Sequence, residues 1–357
     1  MGRGTTSLAL LLCAACGSDV LTNEPGATAG AGGGATSAAS GTTSGTTTAS
    51  SNASTGSGIP TGLSCHDEAP PGAPEPPPLV SAAGCPMLVP GENTIDGRKL
   101  LVVTPSDLKP DERLPVAVLW HWLGGSAQSF FDKAEVQSAA DHYRFVAAIP
   151  ESKGDLQFKW PIESVQSQKR IDEEYEFFDR ILACLDASLT IQRHCVGSVG
   201  VSAGAIWTQV LASGRGAHLS SILSLSGGEG GLVQGFKGTD KKMPTMVLWG
   251  GSMDNCFGLM NFETLSKNLE KKLVDDGHFV LECVHNCGHS PPPFALPGAP
   301  TPFSPMWEFI LDHPAWLPAG ASPYVDGGVP DTFPSWCEVG AGNATPRTGE
   351  CLEKSGC

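Results

Sequence analysis

Val196-Gly197-Ser198-Val199-Gly200-Val201-Ser202-Ala203-Gly204-Ala205-Ile206-Trp207 is the stretch on which the reading of this chain turns. Its first half, 196–201, is short and apolar, the pattern of a strand covered on both faces. Its second half continues as a helical pattern over 203–211. Between them lies G-x-S-x-G. A sharp strand-to-helix turn leaves no room for side chains beside the serine, which accounts for glycine on either side. Such a turn lifts the Ser202 hydroxyl clear of the sheet, and the helix start supplies free N–H groups and a positive dipole end. In a glycine-rich chain the pattern arises by chance, as a serine in a tight turn. Its position between a buried strand and a helix is what gives it meaning.

Working outward, further apolar runs at 99–104, 114–120, 145–149, 222–226, 246–249 and 279–284 read as strands. Helical patterns lie between them at 134–143, 203–211 and 262–274, with a last one at 306–311. The clearest joins Ile171, Tyr175, Phe178, Leu182, Leu185 and Leu189, whose steps of 4, 3, 4, 3 and 4 place all six on one stripe. Strand–helix alternation of this kind predicts an α/β fold. Its central sheet is mostly parallel, with helices on both faces and active groups at the carboxyl ends of the strands.

The chain has 357 residues, with 44 Gly, 29 Pro and 40% apolar residues, enough to bury a sizeable core. Lys and Arg number 22 against 37 Asp and Glu, a net charge of −15, which argues against binding nucleic acid or an anionic membrane. The apolar run near the N-terminus, followed by Cys16, resembles a bacterial lipoprotein signal over 1–16, with Cys16 as the lipid anchor. Residues 26–58 are Gly, Ala, Ser and Thr apart from Asn52, so 17–62 reads as a flexible tether. A Cys/Pro-rich junction follows at 63–92, then a catalytic domain at 93–313. A Pro/Gly/Cys-rich tail runs from 314 to 357. Membrane contact is expected only through the lipid, at the cell envelope or after secretion, and the protein is expected to be monomeric.

Setting aside Cys13 and Cys16 leaves ten cysteines, an even number that implies an oxidising compartment. Loop positions suggest Cys65 with Cys85, Cys184 with Cys195, and Cys256 with Cys283 or Cys287. The last three cysteines would staple the tail, with one partner elsewhere. The cluster Cys283 to His289 also admits a zinc reading. Its spacings are tighter than those of structural zinc sites, and oxidised cysteines compete, so no metal is expected.

A nucleophilic serine needs a base, and the base needs an orienting acid. Asp254 lies in the loop after the 246–249 strand, and His289 in the loop after the 279–284 strand. Asp275 and Asp276 read as solvated residues at a helix end, His285 as a residue along the sheet edge, and His278 and His313 as packing histidines. The backbone N–H of Ala203 and one from Trp122 or Leu123, after the 114–120 strand, are the candidate oxyanion donors. Trp122, Trp160 and Trp207 are candidates for a substrate-binding cleft, although tryptophan in a core is the commoner case.

The segments Arg98 to Pro105, Leu114 to His121, 172–185, Gly200 to Gly204, Gly251 to Asp254 and Gly288-His289 together resemble the polyhydroxybutyrate depolymerase and feruloyl esterase-like branch of the α/β-hydrolases. They occur in order within residues 93–313, a region of over half of the chain. The resemblance implies the α/β-hydrolase fold with a disulfide-stapled tail, no cofactor, and Ser202, Asp254 and His289 as a catalytic triad. Two positions depart from it: Trp122 replaces the glycine usual after the early histidine, and Ala205 replaces a second glycine after the serine. The implied activity is that of an extracytoplasmic serine hydrolase cleaving carboxylic esters, polymeric or aromatic, through an acyl-enzyme. A non-catalytic binding protein on the same scaffold and a serine peptidase of the same fold are the alternatives.

Overall fold

A computed structural model describes residues 64–351. The signal segment with Cys16, the tether up to 62 and the last six residues of the tail lie outside the described residues.

The strands are β1 (Gly91–Ile95), β2 (Arg98–Val103), β3 (Leu114–Trp120), β4 (Val146–Pro150), β5 (Ile191–Val201), β6 (Ser221–Leu225), β7 (Thr245–Trp249), the two-residue β8 (Asn255–Cys256) and β9 (Met260–Asn261), β10 (Val280–Val284) and β11 (Cys337–Val339). The helices are α1 (Ala127–Lys133), α2 (Val136–Tyr143), α3 (Gln168–Ser188), α4 (Ala203–Arg215), α5 (Phe262–Asp275), α6 (Ser304–Leu311) and α7 (Pro323–Gly327). Among the described residues, nine strands form one sheet in the order β1-β2-β4-β3-β5-β6-β7-β10-β11. The six from β4 to β10 run parallel, while β1, β2 and β11 are antiparallel additions at the two edges.

The apolar runs form these strands because both faces are covered. Every residue of β3, β4, β6, β7 and β10 is buried. Alternate residues feed two cores. Val116, Val118 and Trp120 pack with α3, α4 and α5 on one face, while Ala117 and Leu119 pack with α1, α2 and α6 on the other. Local signals fix the helix starts: Ser167 accepts from Arg170 N to begin α3, and Asn261 from Thr264 N to begin α5.

Three features differ from the sequence reading. The helix expected over 134–143 begins only at Val136, and a separate helix, α1, precedes it, because the chain turns at Ala134 and Glu135, the latter with φ +47°. The edge strands β1 and β11 and the β8–β9 hairpin are too short or too polar to show a period. The disulfides are also re-paired. Cys65 bonds Cys195 and Cys85 bonds Cys184, so each junction cysteine is tied to the body rather than to its neighbour in sequence. Cys283 bonds Cys337 and Cys287 bonds Cys351. Cys256 is also disulfide-bonded, but not to Cys283 or Cys287. The stapled tail is therefore part of the sheet, since Cys283 and Cys337 face each other across β10 and β11.

Candidate active site

Ser202 stands between β5 and α4 with φ +56° and ψ −116°, a conformation that a residue with a side chain adopts only when its surroundings force it. The forcing is visible in the flanking glycines. A Cβ on Gly200 would lie 2.0 Å from the Gly204 carbonyl oxygen, and one on Gly204 would lie 2.0 Å from that of Trp120. The elbow is thus wedged against the end of β3, and Ser202 N donates to Leu225 O at 2.9 Å, tying it to the end of β6. The first N–H groups of α4 have no acceptor within the helix. That of Ala203 donates no hydrogen bond among the described residues, so it is free to meet an oxyanion.

His289, from the loop after β10, brings Nε2 to 2.9 Å from Ser202 Oγ. Its Nδ1 lies 2.7 Å from Asp254 Oδ1. A carboxylate can only accept, so Nδ1 carries the hydrogen and Nε2 accepts from the Ser202 hydroxyl. Asp254 is fully buried, and its other oxygen, Oδ2, accepts from Ser226 Oγ and Gly250 N, both at 2.7 Å. The three residues chosen from the sequence therefore converge from loops after β5, β7 and β10. They form one unbroken chain of hydrogen bonds.

Supporting residues that the sequence did not reveal surround this chain. Ser226, at the end of β6 with φ +52°, aims its hydroxyl at the acid. Phe262, the first residue of α5, stacks on the His289 ring with centroids 4.5 Å apart and planes 16° apart. Its N–H also donates to Asp254 O at 2.8 Å. Gly250 lies so close to the base loop that a Cβ there would sit 1.8 Å from Gly288 O. The available signals were a serine and two glycines at a strand end, and a phenylalanine closing the loop after the acid.

The other candidates separate clearly. His285 is fully buried, and burial pushes its imidazole down to about 4, so it is neutral; its Nδ1 accepts from Cys287 N at 3.2 Å. His278 bonds Met243 O and Asp276, and His313 bonds Phe309 O and Ser322, which makes both packing residues. Asp276 pairs with Lys242 and Asp275 with Lys271, away from the serine. Cys283 and Cys287 are oxidised, which removes the thiolates that a zinc reading requires.

The tryptophans need correction. Trp160 and Trp207 are 1% and 0% exposed, so neither walls a cleft. Trp207 packs in the core between Trp120 and Tyr175. Trp160 donates from Nε1 to His121 O at 2.8 Å, holding from beneath the loop that carries Trp122 and Leu123. The half-buried Trp122 ring folds back over Gly125 and α1, with Lys133 Nζ 5.4 Å from its centroid. The Trp122 carbonyl accepts from Gly125 N and faces His121 Nδ1. The amides of Trp122 and Leu123 both donate nothing among the described residues, so the two candidate donors stay open.

No protein-family profile matches the sequence, and no curated protein does. Solved structures do. A variant of pOPH in complex with DMSO superimposes with a TM-score of 0.57 at 14% identity, covering 74% of this chain and 97% of that one. Native sOPH gives a TM-score of 0.55 at 16% identity, covering 74% and 99%. A second pOPH variant, with pNPB, gives a TM-score of 0.52 at 15% identity, covering 72% and 96%. The chain has the α/β-hydrolase fold. In an α/β-hydrolase the strand-to-helix elbow, an acid after a late strand and a histidine after the next occur in that chain order. Ser202, Asp254 and His289 occupy those three places here.

Proposed function

We propose that this α/β-hydrolase is a serine hydrolase acting on carboxylic esters. The observation that carries the reading is the continuous relay from Ser202 Oγ through His289 to Asp254, at 2.9 and 2.7 Å. His289 Nε2 takes the hydroxyl proton as Oγ attacks the ester carbonyl. Asp254 holds the ring in the required tautomer and stabilises the imidazolium. The oxyanion rests on the Ala203 N–H and on that of Trp122 or Leu123. His289 then returns the proton to the departing alcohol, and water repeats the sequence on the acyl-enzyme. One such amide donor is worth roughly 10²–10³ in turnover, so a free N–H at Ala203 is a substantial part of the machinery.

The bonded cysteines support action in an oxidising compartment outside the cytoplasm. The lipid anchor at Cys16 belongs to the same proposal, and incorporation of labelled fatty acid, lost in Cys16→Ala, tests it. The chemistry is tested by hydrolysis of a short p-nitrophenyl ester. The wild type should turn it over and be labelled at Ser202 by a fluorophosphonate, while Ser202→Ala should do neither. Equal turnover by the two proteins would refute the reading.

A further inference from the structure

His289 is delivered by an irregular loop after β10, and a second, distant segment grips that loop. Residues 345–351 of the tail are exposed apart from the half-buried Arg347 and Cys351, and they contribute no buried apolar side chain. They fold back across the base loop through polar and covalent links. Arg347 N donates to Val284 O at 3.0 Å, just where β10 ends. Arg347 Nη1 donates to Asn286 Oδ1 at 2.8 Å and to Gly349 O at 2.9 Å, while Nη2 donates to Glu350 O at 2.8 Å. Asn286 answers by donating from Nδ2 to Gly349 O at 2.7 Å. The Cys287–Cys351 disulfide closes the ring, and Arg347 Nη1 lies 3.8 and 3.7 Å from its two sulfurs. One guanidinium therefore joins Asn286 and the tail turn, three residues before His289.

On its other side, the base loop rests against the acid loop. Gly288 N donates to Gly250 O at 3.0 Å, and Gly250 N donates to Asp254 Oδ2. A displacement of 286–288 therefore moves His289 and is also passed, through Gly250, to Asp254, the partner of its Nδ1.

We infer that Arg347, with the Cys287–Cys351 bridge, is a positioning residue for His289: the tail acts as a clamp that holds the base loop at the distance at which Nε2 reaches Ser202. This rests on the ester-hydrolase reading above. The sequence alone does not suggest it, because residue 347 lies far downstream of the triad in a segment with no hydrophobic period. The fork of Arg347 suits the role, since its two planar nitrogens reach three oxygens from separate positions, whereas a lysine offers its donors from a single point.

The test uses the full chain. Turnover of a short ester is measured for wild type, Arg347→Ala, Asn286→Ala, the double variant of those two, and Arg347→Lys. A misplacement of about 1 Å can cost up to about 100-fold, so Arg347→Ala should lower kcat by about 10–100-fold with KM within about twofold. Asn286→Ala should do the same, and the double variant should fall no further than the worse single one. Arg347→Lys should recover part of the loss. Fluorophosphonate labelling of Ser202 should slow in parallel. A kcat within about twofold of wild type in both single variants, whatever happens to Tm, overturns the clamp while leaving the hydrolase reading intact. If Arg347→Ala does not fold, Asn286→Ala, which deletes one half-buried partner, decides the matter by the same criterion. A wild type that neither hydrolyses the ester nor takes the label at Ser202 overturns both.

Discussion

Ser226 Oγ lies 2.7 Å from Asp254 Oδ2, so the buried acid is held by a hydroxyl from the end of β6 as well as by the imidazole it orients. A hydrogen bond to a charged group contributes about 1.5–3 kcal/mol, and without it the carboxylate keeps Gly250 N and His289 Nδ1 as partners. Ser226→Ala is expected to lower kcat about tenfold, which is about 1.4 kcal/mol, with KM little changed. Steady-state kinetics on one ester check this; a change in KM alone would place Ser226 in substrate binding instead.

Gly204→Ala is expected to be far more damaging. Its Cβ would lie 2.0 Å from Trp120 O and 2.9 Å from His121 O, both backbone atoms of a buried strand end. Relief requires the elbow to move away from β3, at a cost of about 3 kcal/mol or more, and with it the oxyanion donors. Denaturant unfolding should show the loss in midpoint, and esterase activity should disappear in whatever folded protein remains.

Phe262→Leu removes the ring that stacks on His289 while keeping most of the buried volume. Aromatic pairing contributes about 0.5–1.5 kcal/mol beyond burial. A fall in kcat of about 3–10-fold is expected, larger than any change in KM. Unchanged turnover would mean that Asp254 alone fixes the imidazole plane.

Glu270 on α5 and Glu282 on β10 are both 2% exposed. Burial first, and the facing Glu282 carboxylate second, push Glu270 up to about 9, with Lys267 opposing. The folded-state value lies above the unfolded one, so the folded state holds a proton that the unfolded chain releases. Stability is therefore fullest below the unfolded carboxyl value and is lost as pH rises from there to about 9. Glu270→Gln cannot ionise. Its Tm advantage over wild type should be smallest in acid and grow through neutral pH up to about 9, as read by thermal unfolding across that range. A difference independent of pH would show that the pair is not sharing a proton.

Much of this architecture was legible in the chain. β3 and the 246–249 part of β7 announce themselves as uninterrupted apolar runs, and β6 and β10 as mainly apolar ones broken only by Ser221, Ser224 and Glu282, because a strand covered on both faces has no polar side to show. α3 announces itself by its six-residue stripe. Gly200 and Gly204 mark the elbow because a backbone carbonyl occupies the space where each would carry a Cβ. The readings that failed were of another kind. Cys65 was matched to Cys85, near it in sequence, whereas the junction lies along the body and meets Cys195 instead. Trp160 and Trp207 were candidates for a cleft, and a tryptophan's sequence neighbours do not say which way it faces. Ser226, Phe262 and Arg347 carry no motif at all.

Sequence by itself determined the alternation of strand and helix, the sharp turn at Ser202 and the chain order of serine, acid and histidine. These follow from periodicity and backbone sterics, which are properties of a few consecutive residues. Tertiary structure alone decided which cysteines pair, which hydroxyl supports Asp254, which ring lies on His289 and what grips the loop that carries it. Those contacts join segments far apart in the chain, and they exist only once the sheet has set the strand ends side by side.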